Sequence, residues 1–481
     1  MMGGHRVVKN STYIFSARII SKIFTVFLFS IIAHKLNVNN VGIFYFAMAF
    51  SGVFGSIANF GMPNLMVRDI AKNKSNIDEY LSNILTSRLI VFLILFISFC
   101  CLNLILKNSN GVNDQVICIA GAGVFIQFYS LAPRSIFNAL ECMKYEAICA
   151  SAESIVFFIA GTLAILLKYG LKGVSFAFLL SEISVLLLCL YFIKVKINLK
   201  LHLSFDAKNI VEIYKKSIPF ALMGIFSVAY NRFDHVLINI LSNINSVGLY
   251  AAAVKVLEAP IFIPMAVTTA LYPFMSKYSS DEYDKLADVI YRVYRILIII
   301  GFSISLFVVI FSKHIILILC GKEFQGAILT LKILIWTLAT QYSSMLIGTA
   351  LFAINKEKQV SLILVFSTCI NIIMNITLIP LYLHNGAAIS WITTDFISLA
   401  MQGFIAHRFK IIDVGKYIKL FMLIGVSSVI SAVVYEITGS NIIWGSLIYI
   451  IYILLLLLLK ILPKNDIIYI KRYIGTLFNN S

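Results

Sequence analysis

Eleven ionisable side chains stand inside long apolar runs of this 481-residue chain: Arg18, Lys22, Arg88, Glu153, Glu182, Arg232, Asp234, Lys255, Glu258, Lys332 and Asp395. A charge near the centre of a membrane helix costs about 2.5–3.5 kcal/mol on insertion scales, so the set would oppose insertion by about 30 kcal/mol if every member faced lipid. Most must therefore face water or one another. The basic members, Arg18, Lys22, Arg88, Arg232 and Lys255, can converge on one cavity. A cationic cavity suits an anionic cargo, and phosphate is the commonest such group.

Each residue also has a plainer reading. Arg18 lies about six residues into its run, roughly 9 Å deep, where its side chain can snorkel to the interface. Lys22 is one turn further, roughly 15 Å deep and on the same helix face, where snorkelling is harder. Arg232 and Asp234, two residues apart, diverge around a helix, whereas Lys255 and Glu258 at i,i+3 can pair with each other. Arg88 and Lys332 lie nearer an interface. Glu153, Glu182 and Asp395 are deep enough to be protonated, paired or hydrated. No Ser/His/Asp, HExxH, Walker or Rossmann signature has usable context. The eight cysteines show neither CxxC nor Cys/His metal spacing and read as small hydrophobes. No metal, cofactor or enzymatic activity is expected.

The elements that must position these residues follow from composition. The chain is 60% hydrophobic and 13% charged, with a mean hydropathy of +0.93. That leaves too little polar surface to coat a water-soluble particle, so lipid is the solvent. Only helices or closed barrels satisfy the backbone there. Barrel strands alternate apolar and polar residues, whereas the runs here are continuous, as at Ile442–Leu462. The reading is an all-α integral membrane protein of about fourteen transmembrane helices, near 12–35, 41–62, 80–106, 114–138, 146–167, 173–193, 216–241, 246–274, 290–312, 325–353, 358–381, 386–407, 416–436 and 440–462. Polar punctuation separates them at Asn37–Asn40, Asn108–Gly111, Asn243–Asn245 and His384–Gly386. The first run is too long for a signal-peptide core and reads as a retained span.

Basic residues test the map independently. With the N-terminus in the cytoplasm, only Lys35, Lys107, Lys168, Lys172, Lys313 and Lys322 of the 39 Lys and Arg residues fall in outside loops. Arg18, Lys22, Arg88, Arg232, Lys255 and Lys332 fall within spans, and all the rest are inside. Lys and Arg favour the cytoplasmic side, so both termini are placed there. The net charge of +17 is then a record of topology, and nucleic acid is not an expected partner.

A duplication is also legible. Asn40-Val41-Gly42-Ile43-Phe44 recurs as Ser246-Val247-Gly248-Leu249-Tyr250 at an offset of 206 residues. Ala139-Leu140 before Lys144 matches Ala350-Leu351 before Lys356, and Gly173 matches Gly386. Six helices per copy is an even number, so both copies run the same way across the membrane, with a site expected at their interface near the midplane. The expected domains are a six-helix lobe at 1–195, a basic cytoplasmic linker at 196–214, a second six-helix lobe at 215–412, and two further helices with a cytoplasmic tail at 413–481.

These residues resemble a known family. Asn10-Ser11-Thr12 enters a span holding Arg18 and Lys22; Phe60-Gly61-Met62-Pro63-Asn64 leads to Arg68-Asp69-Ile70-Ala71. Arg232-Phe233-Asp234, Lys255-Val256-Leu257-Glu258, Leu271-Tyr272-Pro273 and Asn385-Gly386-Ala387-Ala388 follow in order. In this the chain is similar to Wzx-type O-antigen repeat-unit flippases of the multidrug/oligosaccharidyl-lipid/polysaccharide (MOP) exporter superfamily. The resemblance implies a MATE-like two-lobed fold in the bacterial inner membrane, rocking between inward- and outward-facing states. It implies a cargo of undecaprenyl-pyrophosphate-linked oligosaccharide, with membrane lipid and polysaccharide polymerase machinery as partners. It places Arg18, Lys22, Arg232, Lys255 and Arg88 on a cationic lumen, and makes Asp234 and Glu258 candidates for ion coupling.

Three rivals stay open. A lipid II flippase shares the fold and the cationic cavity. A cation-coupled drug exporter tends to carry acidic residues on its leading helix, where this chain has Arg18 and Lys22. A membrane glycosyltransferase or O-antigen ligase usually needs a large extracytoplasmic loop, and the longest outside loops here are only about ten residues.

Overall fold

A computed structural model describes residues 2–72, 77–105, 114–200, 202, 204–277, 283–438 and 441–458. The break at Asn108–Gly111, Lys74, Lys107, the end of the last expected span and the basic tail lie outside the described residues. The chain forms α1 (Met2–Lys35), α2 (Val38–Asn59), α3 (Met62–Lys72), α4 (Ile77–Ile105), α5 (Asp114–Ala139), α6 (Met143–Leu166), α7 (Gly170–Tyr191) and α8 (Ala207–Leu241). Then come α9 (Ile244–Glu258), α10 (Phe262–Lys277), α11 (Tyr283–Cys320), α12 (Ala327–Leu334), α13 (Thr337–Ala353), α14 (Glu357–Tyr382), α15 (His384–Arg408), α16 (Val414–Ile437) and α17 (Ile442–Leu458). Among the described residues there is no strand.

Eleven helical stretches are long and apolar enough to cross a membrane, and Ile442–Leu456 is a shorter apolar helix. The chain is therefore a multi-pass membrane protein. The other two expected spans, over α8 and over α12–α13, fall outside that set for visible reasons. Asn231, Arg232, Asp234, His235 and Asn239 dilute α8, and a break at Ile335–Trp336 divides α12 from α13.

The polar punctuation does the work expected of caps. Asn37 Oδ1 accepts from the Asn40 amide at 2.9 Å, and Asn243 Oδ1 accepts from the Ser246 amide at 2.8 Å. The two copies of the duplicated motif thus begin with the same N-cap. Phe60 and Gly61 take consecutive left-handed conformations, φ 47° and 66°, and turn the chain sharply from α2 into α3. Where helices break inside the apolar layer, side-chain hydroxyls take up freed carbonyls. Tyr342 donates to Pro260 O at 2.7 Å beside the α9–α10 break, and Ser305 donates to Ile335 O at 2.8 Å beside the α12–α13 break.

The described helices gather in two compact units. The N-terminal unit holds Asn10–Ala251 together with Asn375–His384; the C-terminal unit holds Ala252–Met374 and the described residues from Asn385 onward. This division by contact differs from the division by sequence repeat, because α8 packs along α2 inside the N-terminal unit. The seam depends on glycine. A Cβ on Gly42 would overlap the Ile244 carbonyl oxygen, and one on Gly248 would overlap the Val38 carbonyl. A Cβ on Gly61 would overlap the backbone of Phe220 and Ala221. Between these points Tyr45 stacks on His235 with ring centroids 6.2 Å apart, and the Arg232 stem passes Gly52. Small residues let membrane helices approach backbone to backbone, which is where van der Waals packing is strongest without a hydrophobic driving force.

In the C-terminal unit, Lys332 on α12 pairs with Glu436 on α16 at 2.5 Å, and Ser428 on α16 donates to the Tyr452 hydroxyl on α17 at 2.9 Å. The two helices beyond the repeat are thereby tied into this unit.

Gly61→Ala should lower stability by about 1–2 kcal/mol from the left-handed backbone, with a further ~1–3 kcal/mol from overpacking. Gly224 on α8, where an added methyl would meet nothing within 4 Å, is the control: Gly224→Ala should be neutral or stabilising by up to about 1 kcal/mol. Thermal unfolding of the two variants in detergent would show opposite signs; equal melting temperatures would contradict the seam.

Candidate functional site

The charges fall into three environments. On α1, Arg18 is exposed and Lys22 half-buried. Between them Ser21 fixes the helix: its hydroxyl donates to Ala150 O on α6 at 3.0 Å and accepts from Ser154 Oγ at 3.1 Å. Arg18 and Lys22, a turn apart, share one face, and Arg18 lies within Coulomb reach of Glu146 at the start of α6. On α8, Arg232 is exposed at the α2 seam. Arg18, Lys22 and Arg232 thus all belong to the N-terminal unit, and none of the three is buried. Lys255 belongs to the C-terminal unit, half-buried, with Glu258 at 3.7 Å across one helical turn.

Arg88 is different. Its side chain is fully buried, donating to Asn59 Oδ1 and Phe128 O at 2.7 Å each. The Phe92 and Tyr129 rings lie 5.3 and 5.7 Å from the guanidinium carbon, in cation–π range. In this conformation Arg88 reaches no surface.

Asp234 is buried as well, and its two oxygens are both occupied. Tyr250 donates to Oδ2 and Asn375 Nδ2 to Oδ1, each at 2.7 Å. Arg232, two residues away, points elsewhere, as i,i+2 geometry requires. Asp234 therefore joins α8, α9 and α14 within the N-terminal unit.

Sequence spacing does not reveal the largest polar cluster. Arg134, near the C-terminal end of α5, grips Glu146 with Nε and Nη2, the shortest contact being 2.7 Å, and Glu153 Oε2 with Nη1 at 3.0 Å. Gln127, two turns earlier on α5, donates to Glu153 Oε1 at 3.2 Å and to Glu182 Oε1 on α7 at 2.8 Å. The available signal is the seven-residue spacing of Glu146 and Glu153, which puts both on one face of α6. In the sequence, Arg134 counts only toward the cytoplasmic charge bias. Lys332 has the surface partner Glu436, and Asp395 accepts from Gln341 Nε2 at 3.2 Å.

Arg134→Ala would strand two carboxylates. Breaking a buried ion pair costs about 3–5 kcal/mol, and Glu146 and Glu153 are 19% and 27% exposed, so a loss of about 2–3 kcal/mol is expected. Adding Glu146→Gln and Glu153→Gln should restore most of it. A triple variant no more stable than the single one, measured by thermal unfolding, would show that the cluster is not held by charge.

Comparison with known proteins bears on what this geometry serves. A family model described as Polysaccharide biosynthesis protein matches residues 7–279, and one described as MatE matches residues 219–377. The probable low-salt glycan biosynthesis flippase Agl15 of Haloferax volcanii is 23% identical over 389 residues, 80% of this chain and 81% of that protein. The capsular polysaccharide biosynthesis protein CapF of Staphylococcus aureus is 23% identical over 412 residues, 82% of this chain and 97% of that one. Among solved structures, the lipid II flippase MurJ in an inward closed conformation aligns with a TM-score of 0.75 at 18% identity, covering 91% of this chain and 97% of MurJ. At that identity the likeness speaks for the fold alone.

Proposed function

Since the chain belongs to the polysaccharide biosynthesis protein family, we propose that it is a flippase moving undecaprenyl-pyrophosphate-linked oligosaccharide, an O-antigen or related repeat unit, across the bacterial inner membrane. The observation that carries the reading is the placement of Arg18, Lys22 and Arg232. All three stand on helices of the N-terminal unit with side chains that are not buried. Permanent charges at such depth are tolerated beside water and not beside hydrocarbon. A wet, cationic wall would bind the pyrophosphate, Arg by bidentate hydrogen bonds and Lys as a point charge. Lys255 would add to it from the second copy. Arg88 would join the lining only in a conformation that uncovers it. The polyprenyl tail would stay in lipid while pyrophosphate and sugars cross by alternating access, residues 12–195 rocking against 215–410. No bond is made or broken, so no catalytic residue is assigned. The names of Agl15 and CapF, both tied to glycan or capsule synthesis, support the cargo class.

Lys22→Ala, Arg232→Ala and Lys255→Ala should each reduce surface polysaccharide several-fold while the protein still inserts at wild-type level. Complementation of a repeat-unit export mutant, read by surface glycan, measures this; full export by all three variants would reject the cationic passage. A lipid II cargo would instead appear as rescue of a peptidoglycan-precursor flipping mutant. Asp234 and Glu258 are the coupling candidates of this mechanism. Asp234→Asn should keep the hydrogen bond from Asn375 but remove a titratable group, and is expected to abolish the dependence of export on pH or membrane potential. An unchanged dependence would remove Asp234 from that role.

A further inference from the structure

We propose that Glu153, Gln127 and Glu182 form a proton-binding site inside the N-terminal unit, with Arg134 as fixed counter-ion and Glu182 as the residue that carries the proton. The site is separate from Asp234, sharing no residue or hydrogen bond with it.

Geometry makes the first argument. A single amide group, Gln127 Nε2, donates to both carboxylates, 3.2 Å to Glu153 and 2.8 Å to Glu182. Two negative charges held by one NH2 group repel across a distance that low-dielectric surroundings hardly screen. Glu153 has a second partner in Arg134. Glu182 has none: its side chain is fully buried, and its Oε2 meets no hydrogen-bond donor. A neutral acid tolerates one unpartnered oxygen far better than a carboxylate does.

Charge makes the second. The charged groups that act on Glu182 are Glu153 on α6 and Arg134 on α5, with Glu146 and the thiols of Cys149 and Cys189 beside Arg134. Arg18 on α1 reaches Glu146. Helix α2 brings no charged side chain, and its titratable group, Tyr45, stacks on His235. Arg134 is already paired with both Glu146 and Glu153, so a third carboxylate at Glu182 adds a negative charge that one proton removes. Exposure grades inward along the same path, from 27% at Glu153 to zero at Glu182. Protons can enter from the wet end and be held at the dry one. The ligand is a proton rather than a metal ion, because the amide turns hydrogens toward both carboxylates, and no cluster of His, Cys, Asp or Glu among the described residues could hold a metal.

Duplication makes the third. In the C-terminal unit Gln341 donates to Asp395 at 3.2 Å. Gln127 and Gln341 are 214 residues apart, Glu182 and Asp395 213, close to the offset of the other duplicated points. The amide–carboxylate pair is thus built into both copies.

Infrared spectroscopy of the full-length protein in lipid nanodiscs tests occupancy without any cargo. The wild-type minus Glu182→Gln spectrum at neutral pH should contain one carbonyl band of a protonated carboxylic acid. Gln127→Leu should move that band to higher frequency, because the carbonyl loses its hydrogen bond. Absence of the band from the difference overturns the proposal, and so does its disappearance when sodium replaces choline. Should Glu182→Gln fail to accumulate, an unmoved carboxyl band in Gln127→Leu overturns it alone. A role in coupling rests on the flippase reading and has its own arm. In proteoliposomes, Glu182→Gln should still transport but lose acceleration by a pH gradient. Retained acceleration with the band lost would reject coupling while leaving the proton site in place.

Discussion

Hydrocarbon offers no hydrogen-bond partner and no dielectric relief, and the internal arrangement of this protein answers to that. Asp234, Arg88 and the broken helices draw partners from within the fold. Asp234 takes one donor on each oxygen from different helices. Arg88 is lodged between an amide oxygen, a backbone carbonyl and two aromatic faces. Broken helices have loose carbonyls closed by Tyr342 and Ser305. What remains unburied among the charges is then informative. Arg18, Lys22 and Arg232 are not buried in protein, and the proposed cationic passage rests on that placement.

Packing answers to the same solvent in another way. With lipid tails as apolar as leucine, helices gain by approaching closely, and glycine permits the closest approach. The seam of α2 with α8 and α9 uses this at Gly42, Gly61 and Gly248. Gly61 has a double reason to be glycine, since its positive φ and the backbone of α8 both exclude a side chain. The sharp turn at Phe60–Gly61 also starts α3, whose Arg68 lies over the Phe220 ring at 5.3 Å. One local backbone conformation thus sets both a helix break and the docking of the next helix.

The all-α membrane fold was legible because hydropathy and helix length are properties of continuous segments. The polar breaks at Asn37 and Asn243 were legible for the same reason, as were the i,i+3 pair of Lys255 with Glu258 and the divergence of Arg232 from Asp234. All of these are set within one helix or at its end. What spacing could not supply was partnership between helices. Arg134 meets Glu146 and Glu153 from a different helix, and Asn375 reaches Asp234 across 141 residues. The burial of Arg88 was hidden too, because an arginine about two turns into a span looks the same whether it snorkels or is walled in by Phe92 and Tyr129. The grouping of α8 with the N-terminal helices follows from glycine contacts that no periodicity announces.

The reciprocal contact at Gly42 and Gly248 reaches beyond mechanics. The same position of the repeated motif, present twice, presses against its own copy: Gly42 on the turn before Gly248, Gly248 on the carbonyl of Val38. A side chain gained by either would strike the main chain of the other. Neither position of the repeated motif can therefore take a side chain without displacing the main chain of its counterpart. That is a physical reason for Val-Gly to survive as the clearest echo between halves whose remaining sequence has drifted apart.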